Sequence, residues 1–126
     1  MREFINIVEQ AAETHPVPEE IREKYSCGLC GHLATYINQT LGWPIMVSFH
    51  YDYDAIAHAW NVTPSGKDFD IYGVHKNGMD LVERDPQPMT AEELKGRIYN
   101  KYFDQQMKEA AEDFETYVKP MIEGGM

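Results

Sequence analysis

Apolar positions recur with helical spacing at the start of the chain, with strand spacing in its middle, and with helical spacing again toward its end. Phe4, Ile5, Val8, Ala11 and Ala12 share one helical stripe over residues 2–14, which His15-Pro16-Val17-Pro18 breaks. Pro18 restarts a short helix over PEEIREKY, because its missing N–H is not needed at a first helical position. Leu29, Leu33, Tyr36, Ile37 and Leu41 then predict a buried central helix with Gly42 as its C-cap. Trp43-Pro44 ends it. In IMVSFHY, Ile45, Val47, Phe49 and Tyr51 alternate with Met46, Ser48 and His50, which reads as a strand. AHAWNVT and DFDIYG supply a second and a third strand around Pro64-Ser65-Gly66, so three antiparallel strands follow the central helix. Thr90-Ala91-Glu92-Glu93 is a capping box. It opens one long helix over residues 90–119, with Leu94, Ile98, Tyr102, Met107, Ala110, Phe114 and Val118 on one side, stopped by Pro120 and the Gly-Gly tail.

These elements predict a single α+β domain over residues 1–126: a central helix against a short antiparallel sheet, flanked by N- and C-terminal helices, with its core in residues 26–75. A chain of 126 residues buries a core without disulfide staples. There is no internal repeat and no low-complexity tract. The formal charge of −10 repels phosphate backbones and anionic headgroups, so nucleic acid and membrane surfaces are not the expected partners. MREFINIVEQ lacks the apolar run of a signal peptide or a membrane span, and a cytoplasmic protein is expected. In that reducing compartment the two cysteines of SCGLC point to catalysis or metal, not to a structural disulfide.

Both cysteines fall at the start of the central helix. A helix N-terminus presents unpaired N–H groups and a partial positive charge, which favour a thiolate and prepare a nucleophile. A thiolate attacking a carbonyl also needs an imidazole to protonate the leaving group, and a carboxylate to fix that imidazole's tautomer. His58 and Asp70 are placed for this by the hairpin. A three-residue loop Pro64-Ser65-Gly66 sets Trp60 opposite Asp70 and His58 opposite Tyr72, so Asp70 is one diagonal step from His58 on the same face. Asp68 shares that face but lies further along. A two-residue loop would instead turn Asp70 to the other face.

The run from Cys30 through Ala34 and Leu41 to GWP, then AHAW, then DIYG, resembles the core of papain-like-fold cysteine hydrolases. The family is meant in the broad sense that includes transglutaminase-like and NlpC/P60-like groups and small bacterial and phage proteins. The resemblance covers the middle of the chain. It implies a Cys–His–Asp acyl-transfer centre with Cys30 as nucleophile, His58 as general base and Asp70 as orienting residue, and it implies no cofactor. Two features fall outside the family pattern. Cys27 is an additional thiol, and no Gln or Asn precedes Cys30 to supply a second oxyanion donor.

The expected function is therefore thiol-dependent acyl transfer on a protein or peptide substrate, as in a cysteine protease, isopeptidase or glutamine deamidase. Three other readings compete. CGLC matches the spacing of a thioredoxin-like redox pair, although a charged segment precedes it in place of a core strand. Cys27, Cys30 and His32 with His58 or His50 make up a zinc donor set, without the second closely spaced pair that structural sites usually bring. An acidic, catalytically inactive module that docks on a partner protein keeps the fold without the reaction. Asp52 and Asp54 lack the remaining ligands of a calcium loop. His15, His32, His50 and His75 have no predicted partner, and Tyr99, Phe103 and Tyr117 are expected as aromatic surface on the last helix.

Overall fold

The computed structural model describes residues 15–52, 54–75 and 86–124. The stripe predicted over residues 2–14 and the side chain of Cys27 lie outside the described residues. Within them the chain is α+β, as the spacing of its apolar positions predicts.

Helix α1 (Glu19–Glu23) starts after Pro18, which serves as N-cap and not as first helical residue, and runs into a π-helical turn over Lys24–Gly28. That wide turn ends at Leu29, whose non-helical backbone (φ −115°, ψ 19°) separates it from helix α2 (Cys30–Leu41). Gly42 closes α2 in the left-handed conformation (φ 76°), its N–H donating to Asn38 O. Five antiparallel strands form one sheet: β1 (Ile45–Phe49), β2 (Ile56–Val62), β3 (Asp68–Asp70), β4 (Gly73–His75) and β5 (Gln87–Met89), in the order β4-β3-β2-β1-β5. Helices α3 (Ala91–Ile98), α4 (Phe103–Asp113) and α5 (Lys119–Glu123) follow, α4 and α5 joined by a second π-helical turn over Phe114–Val118.

Helix α2 is buried on two sides, and this is what the fold is built around. Leu33 and Ile37 pack with Phe69, Ile71, Ala110, Phe114 and Val118, while Cys30 and Ala34 pack with Ile45, Val47, Phe49, Ala59 and Leu94. Ala34 is small enough to let the helix approach the sheet closely. The side chain of Asn61, itself buried, crosses from β2 to donate to Ala34 O at 3.0 Å and to Trp43 O at 3.3 Å. Gly31 meets α3 in the same way: a Cβ there would stand 3.2 Å from Ile98 Cγ2.

The hairpin β2–β3 has the predicted three-residue loop. Gly66 N–H donates to Thr63 O at 2.9 Å, Thr63 N–H to Lys67 O at 2.8 Å, and Gly66 takes the left-handed conformation (φ 85°). Asn61 pairs with Phe69 and Val62 with Asp68. That register sets Trp60 level with Asp70. The further pair of His58 with Tyr72 does not form, because β3 ends at Asp70.

Several expectations are corrected. DFDIYG is not one strand: it is β3, a tight turn at Ile71-Tyr72 and the start of β4, with Asp70 paired to Gly73 (φ 106°). Strand β5 had no alternating pattern to announce it, and it lies at the sheet edge, where Pro88 leaves no inner ladder bond unmade. The long C-terminal helix is interrupted after Ile98. Tyr99 is extended, and Asn100 Oδ1 accepts from Tyr102 N–H at 2.8 Å, a side-chain bond that competes with helix continuation. Pro120 does not stop the helix but lies inside α5, directly after the widened π turn. Leu41 and Tyr51 are exposed, whereas Ser48 and Phe103 are buried. Ser48 is paired with His58, and that second face of the sheet is covered too: Trp60, two residues along, is 2% exposed. Among the described residues no helix is long and apolar enough to cross a membrane.

Candidate active site

Cys30 is the first residue of α2, preceded by an N-cap, Leu29, that has no side-chain acceptor for the first-turn N–H groups. The π turn and the kink at Leu29 hold the sulfur at the helix end, buried to 8% exposure. Wide turns of this kind are common at functional sites. On β2, Ser48 pairs with His58 but Phe49 pairs with Ile56, so Ala57 is an extra residue, a bulge immediately before His58. A bulge bends the strand locally, and here it does so where the imidazole meets the start of α2.

The three residues predicted from the sequence come together. The Cys30 sulfur is near enough to the His58 imidazole to favour its charged form, and His58 Nε2 lies 3.2 Å from Asp70 Oδ2. With Nε2 turned to the carboxylate, Nδ1 is the ring nitrogen left for the sulfur. Trp60 stacks on the other side of the imidazole, ring centroids 5.7 Å apart and planes at 19°. Its indole N–H donates to Asp68 Oδ1 at 2.9 Å, so the second acidic residue of the face helps orient the tryptophan.

Burial alone would push the His58 pKa down. The bond to Asp70 and the nearby Cys30 sulfur outweigh it and raise the value from 6.5 to about 9, so the ring is an imidazolium at neutral pH. For Asp70 the balance has the same form: burial favours the neutral acid, but bonds from His58 and His75 and from the Tyr72 N–H hold its pKa below the usual carboxylate range.

The bond from His75 is absent from the sequence reading. His75 Nε2 lies 2.8 Å from Asp70 Oδ1, and the same oxygen accepts from Tyr72 N–H at 2.9 Å. The signal was present in Asp70-Ile71-Tyr72-Gly73, an Asp followed by a turn and a glycine, whose side chain caps its own turn. Reading that stretch as a hairpin puts His75 one diagonal step from Asp70, by the argument that placed His58. His15 fixes the same turn from outside: Val17 N–H donates to its Nδ1 at 3.1 Å, and its Nε2 donates to Tyr72 O at 3.0 Å.

His32 is not in this cluster. His32 faces Phe103 of α4, ring centroids 5.6 Å apart. Among the described residues no group of three or more His, Cys, Asp or Glu side chains is arranged to hold a metal ion. A groove of about 560 Å³ lined by Asp54, Ala55, Ile56, Gly96, Arg97 and Ile98 flanks the helix start, since Ile98 packs on Gly31 and both isoleucines join the cluster that contains Cys30. The Arg97–Asp54 ion pair, 3.2 Å, spans it. A second groove of about 510 Å³, bordered by Asn38, Gly42 and Pro88, lies at the opposite end of α2.

No protein-family model, no curated protein and no solved structure matches this chain, so the reading of the site stands on its own geometry.

Proposed function

We propose that the protein is a thiol-dependent acyl-transfer enzyme of the papain-like type, acting on a peptide, isopeptide or glutamine side-chain carbonyl. The observation that carries this reading is the His58 ring, held 3.2 Å from the Asp70 carboxylate and within electrostatic reach of the buried Cys30 sulfur at the start of α2. In the first step the Cys30 thiolate attacks the carbonyl carbon. The negative charge that develops on oxygen faces the N–H groups at the start of α2. The carbon–nitrogen bond breaks as His58 Nδ1–H gives its proton to the departing nitrogen, leaving a thioester on Cys30 and a neutral imidazole. Water or an amine then attacks the thioester, His58 takes the incoming proton, and the thiolate–imidazolium pair is restored. Asp70 keeps the ring turned throughout. The groove beside Ile98 supplies the space for the acyl donor's side chain, and its apolar floor with a charged rim suits a mixed apolar and polar segment.

The reading is tested with p-nitrophenyl acetate, a generic acyl donor. The wild-type protein is expected to release a burst of one equivalent of p-nitrophenol and to carry an acetyl group on Cys30 by peptide mass mapping. Cys30→Ala and His58→Ala should abolish the burst while retaining the fold by circular dichroism. Acetylation that is equal at Cys27 and Cys30, or unaffected by His58→Ala, would remove the basis for the assignment.

A further inference from the structure

We propose that His75 is a positioning residue for the acyl-transfer centre: together with the Tyr72 N–H it fixes Asp70 Oδ1, so that Oδ2 alone is presented to His58. The inference rests on the reading of Cys30, His58 and Asp70 given above.

A carboxylate on a free χ2 rotor presents either oxygen, or neither, to a neighbouring ring. Asp70 has no such freedom. Its Oδ1 accepts two bonds, from His75 Nε2 at 2.8 Å and from Tyr72 N–H at 2.9 Å, both shorter than the 3.2 Å from Oδ2 to His58. An ionised carboxylate only accepts, so His75 must carry its proton on Nε2 to make this bond. The two donors come from opposite ends of one tight hairpin, Tyr72 in the turn and His75 on β4, and His15 holds the turn at Tyr72 O. Asp70 is buried, while His75 is more exposed, 29% against 7% for the two side chains. The series Cys30, His58, Asp70, His75 therefore runs from the buried helix start outward to the partly exposed strand β4.

The groups facing His58 are Cys30 from α2, Asp70 from β3 and Trp60 from its own strand. Those facing Asp70 are His58, His75 and the turn N–H. Asp68 pairs with His75 across the β3–β4 ladder, and its Oδ1 accepts from Trp60 N–H.

Two opposed effects distinguish positioning from mere charge. If His75 only shared the carboxylate's charge, its removal would leave Asp70 more basic and drive the His58 pKa up. If His75 holds the carboxylate's orientation, its removal lets Oδ2 swing away and the His58 pKa falls toward 6.5.

The experiment follows the His58 ring by proton–carbon NMR titration and, in parallel, the rate of Cys30 alkylation by iodoacetamide at pH 7, assigned to Cys30 by mass mapping. In His75→Ala the His58 midpoint is expected to fall by one pH unit or more from about 9, and alkylation to slow roughly tenfold. His75→Gln, whose amide N–H reaches for the same oxygen, should restore both to near wild type. A His58 midpoint that stays or rises in His75→Ala overturns the inference, as does equal loss in His75→Ala and His75→Gln. A wild-type Cys30 whose alkylation ignores His58→Ala overturns instead the reading on which it rests. Thermal melts of both variants separate these outcomes from unfolding.

Discussion

The indole of Trp60 stacks on the imidazole of His58, centroids 5.7 Å apart and planes at 19°, while the indole N–H is tied to Asp68 at 2.9 Å. The tryptophan thus packs in the core with one face against a ring that is charged at neutral pH, an arrangement in which a cation gains from the π face of the indole. An imidazolium in contact also quenches indole emission. Intrinsic fluorescence is therefore expected to rise as the pH passes through about 9, the value to which the Asp70 bond and the neighbouring Cys30 sulfur raise His58 against its burial. Trp43, the other tryptophan, packs edge-on to Phe69 and should not respond. The check is a fluorescence titration of wild type, Trp43→Phe and His58→Gln. A transition that persists in His58→Gln would show that the stacked pair is not its source.

The raised His58 pKa also sets how stability depends on pH. A group that binds its proton more tightly in the folded chain contributes fully below its unfolded pKa, near 6.5, and loses that contribution as the pH rises through the folded value of about 9. Between those two values the stabilisation lost is on the order of 3 kcal/mol. Urea unfolding at pH 6.5 and pH 9 should show this loss in wild type, and His58→Gln should flatten it. A wild-type protein that gains stability over this interval would contradict the charged state of the ring.

Much of this site is legible in the chain because its geometry is local. Pro64-Ser65-Gly66 fixes a three-residue loop, the loop fixes the register, and the register puts Asp70 beside His58. Gly42 and Thr90 likewise announce helix ends by chemistry confined to a few residues. What the sequence did not reveal depends on competition or on distant partners. Asn100 breaks the C-terminal helix because its side chain offers Tyr102 N–H an alternative acceptor, which no apolar stripe reports. Ser48 is polar, yet it is buried because the face it shares with Trp60 is covered. His75 was missed because Ile71 and Tyr72, apolar enough for a strand, form a turn between two short strands.

Asn61 links the strand that carries His58 to the helix that carries Cys30. Its amide donates to Ala34 O and Trp43 O from a fully buried position. Asn61→Ala removes two buried bonds and opens a small void, and should cost about 2–4 kcal/mol. Because the lost bonds set the spacing of α2 on β2, Cys30 alkylation should slow even in molecules that remain folded. Urea unfolding combined with the iodoacetamide rate measures both. An unaffected rate would show that the helix position is set by apolar packing alone.

Thr90 tests how far the C-terminal half supports the site. Its hydroxyl accepts from Glu93 N–H at 3.1 Å, and Glu93 Oε1 accepts from Thr90 N–H at 3.3 Å, which completes the capping box of α3. Helix α3 carries Leu94 into the cluster that contains Cys30 and sets Ile98 on Gly31. Thr90→Ala should cost about 1 kcal/mol. Thr90→Ser, which keeps the oxygen, should cost much less. Equal losses in the two variants would point to the methyl group, not to the cap.

His32 governs the acid side. It lies buried between α2 and Phe103 of α4, with neither ring nitrogen bonded among the described residues. Burial lowers its pKa; Gln106, beside it, favours the charged form but does so too weakly to reverse the effect, and Gln106 Oε1 is itself without a bond. A neutral buried histidine must take up a proton on unfolding once the pH falls below about 6.5, so the unfolded chain binds more protons there and stability drops with falling pH. With His58 acting in the opposite direction above that value, the protein should be most stable near pH 6.5. His32→Leu fills the same apolar site without two unpaired nitrogens. It should be neutral or stabilising by about 1–2 kcal/mol at pH 7 and should reduce the loss between pH 6.5 and 5. Urea unfolding at the three pH values decides it: a His32→Leu protein less stable than wild type at pH 7, with the acid slope unchanged, would mean that the ring makes a bond the packing does not reveal.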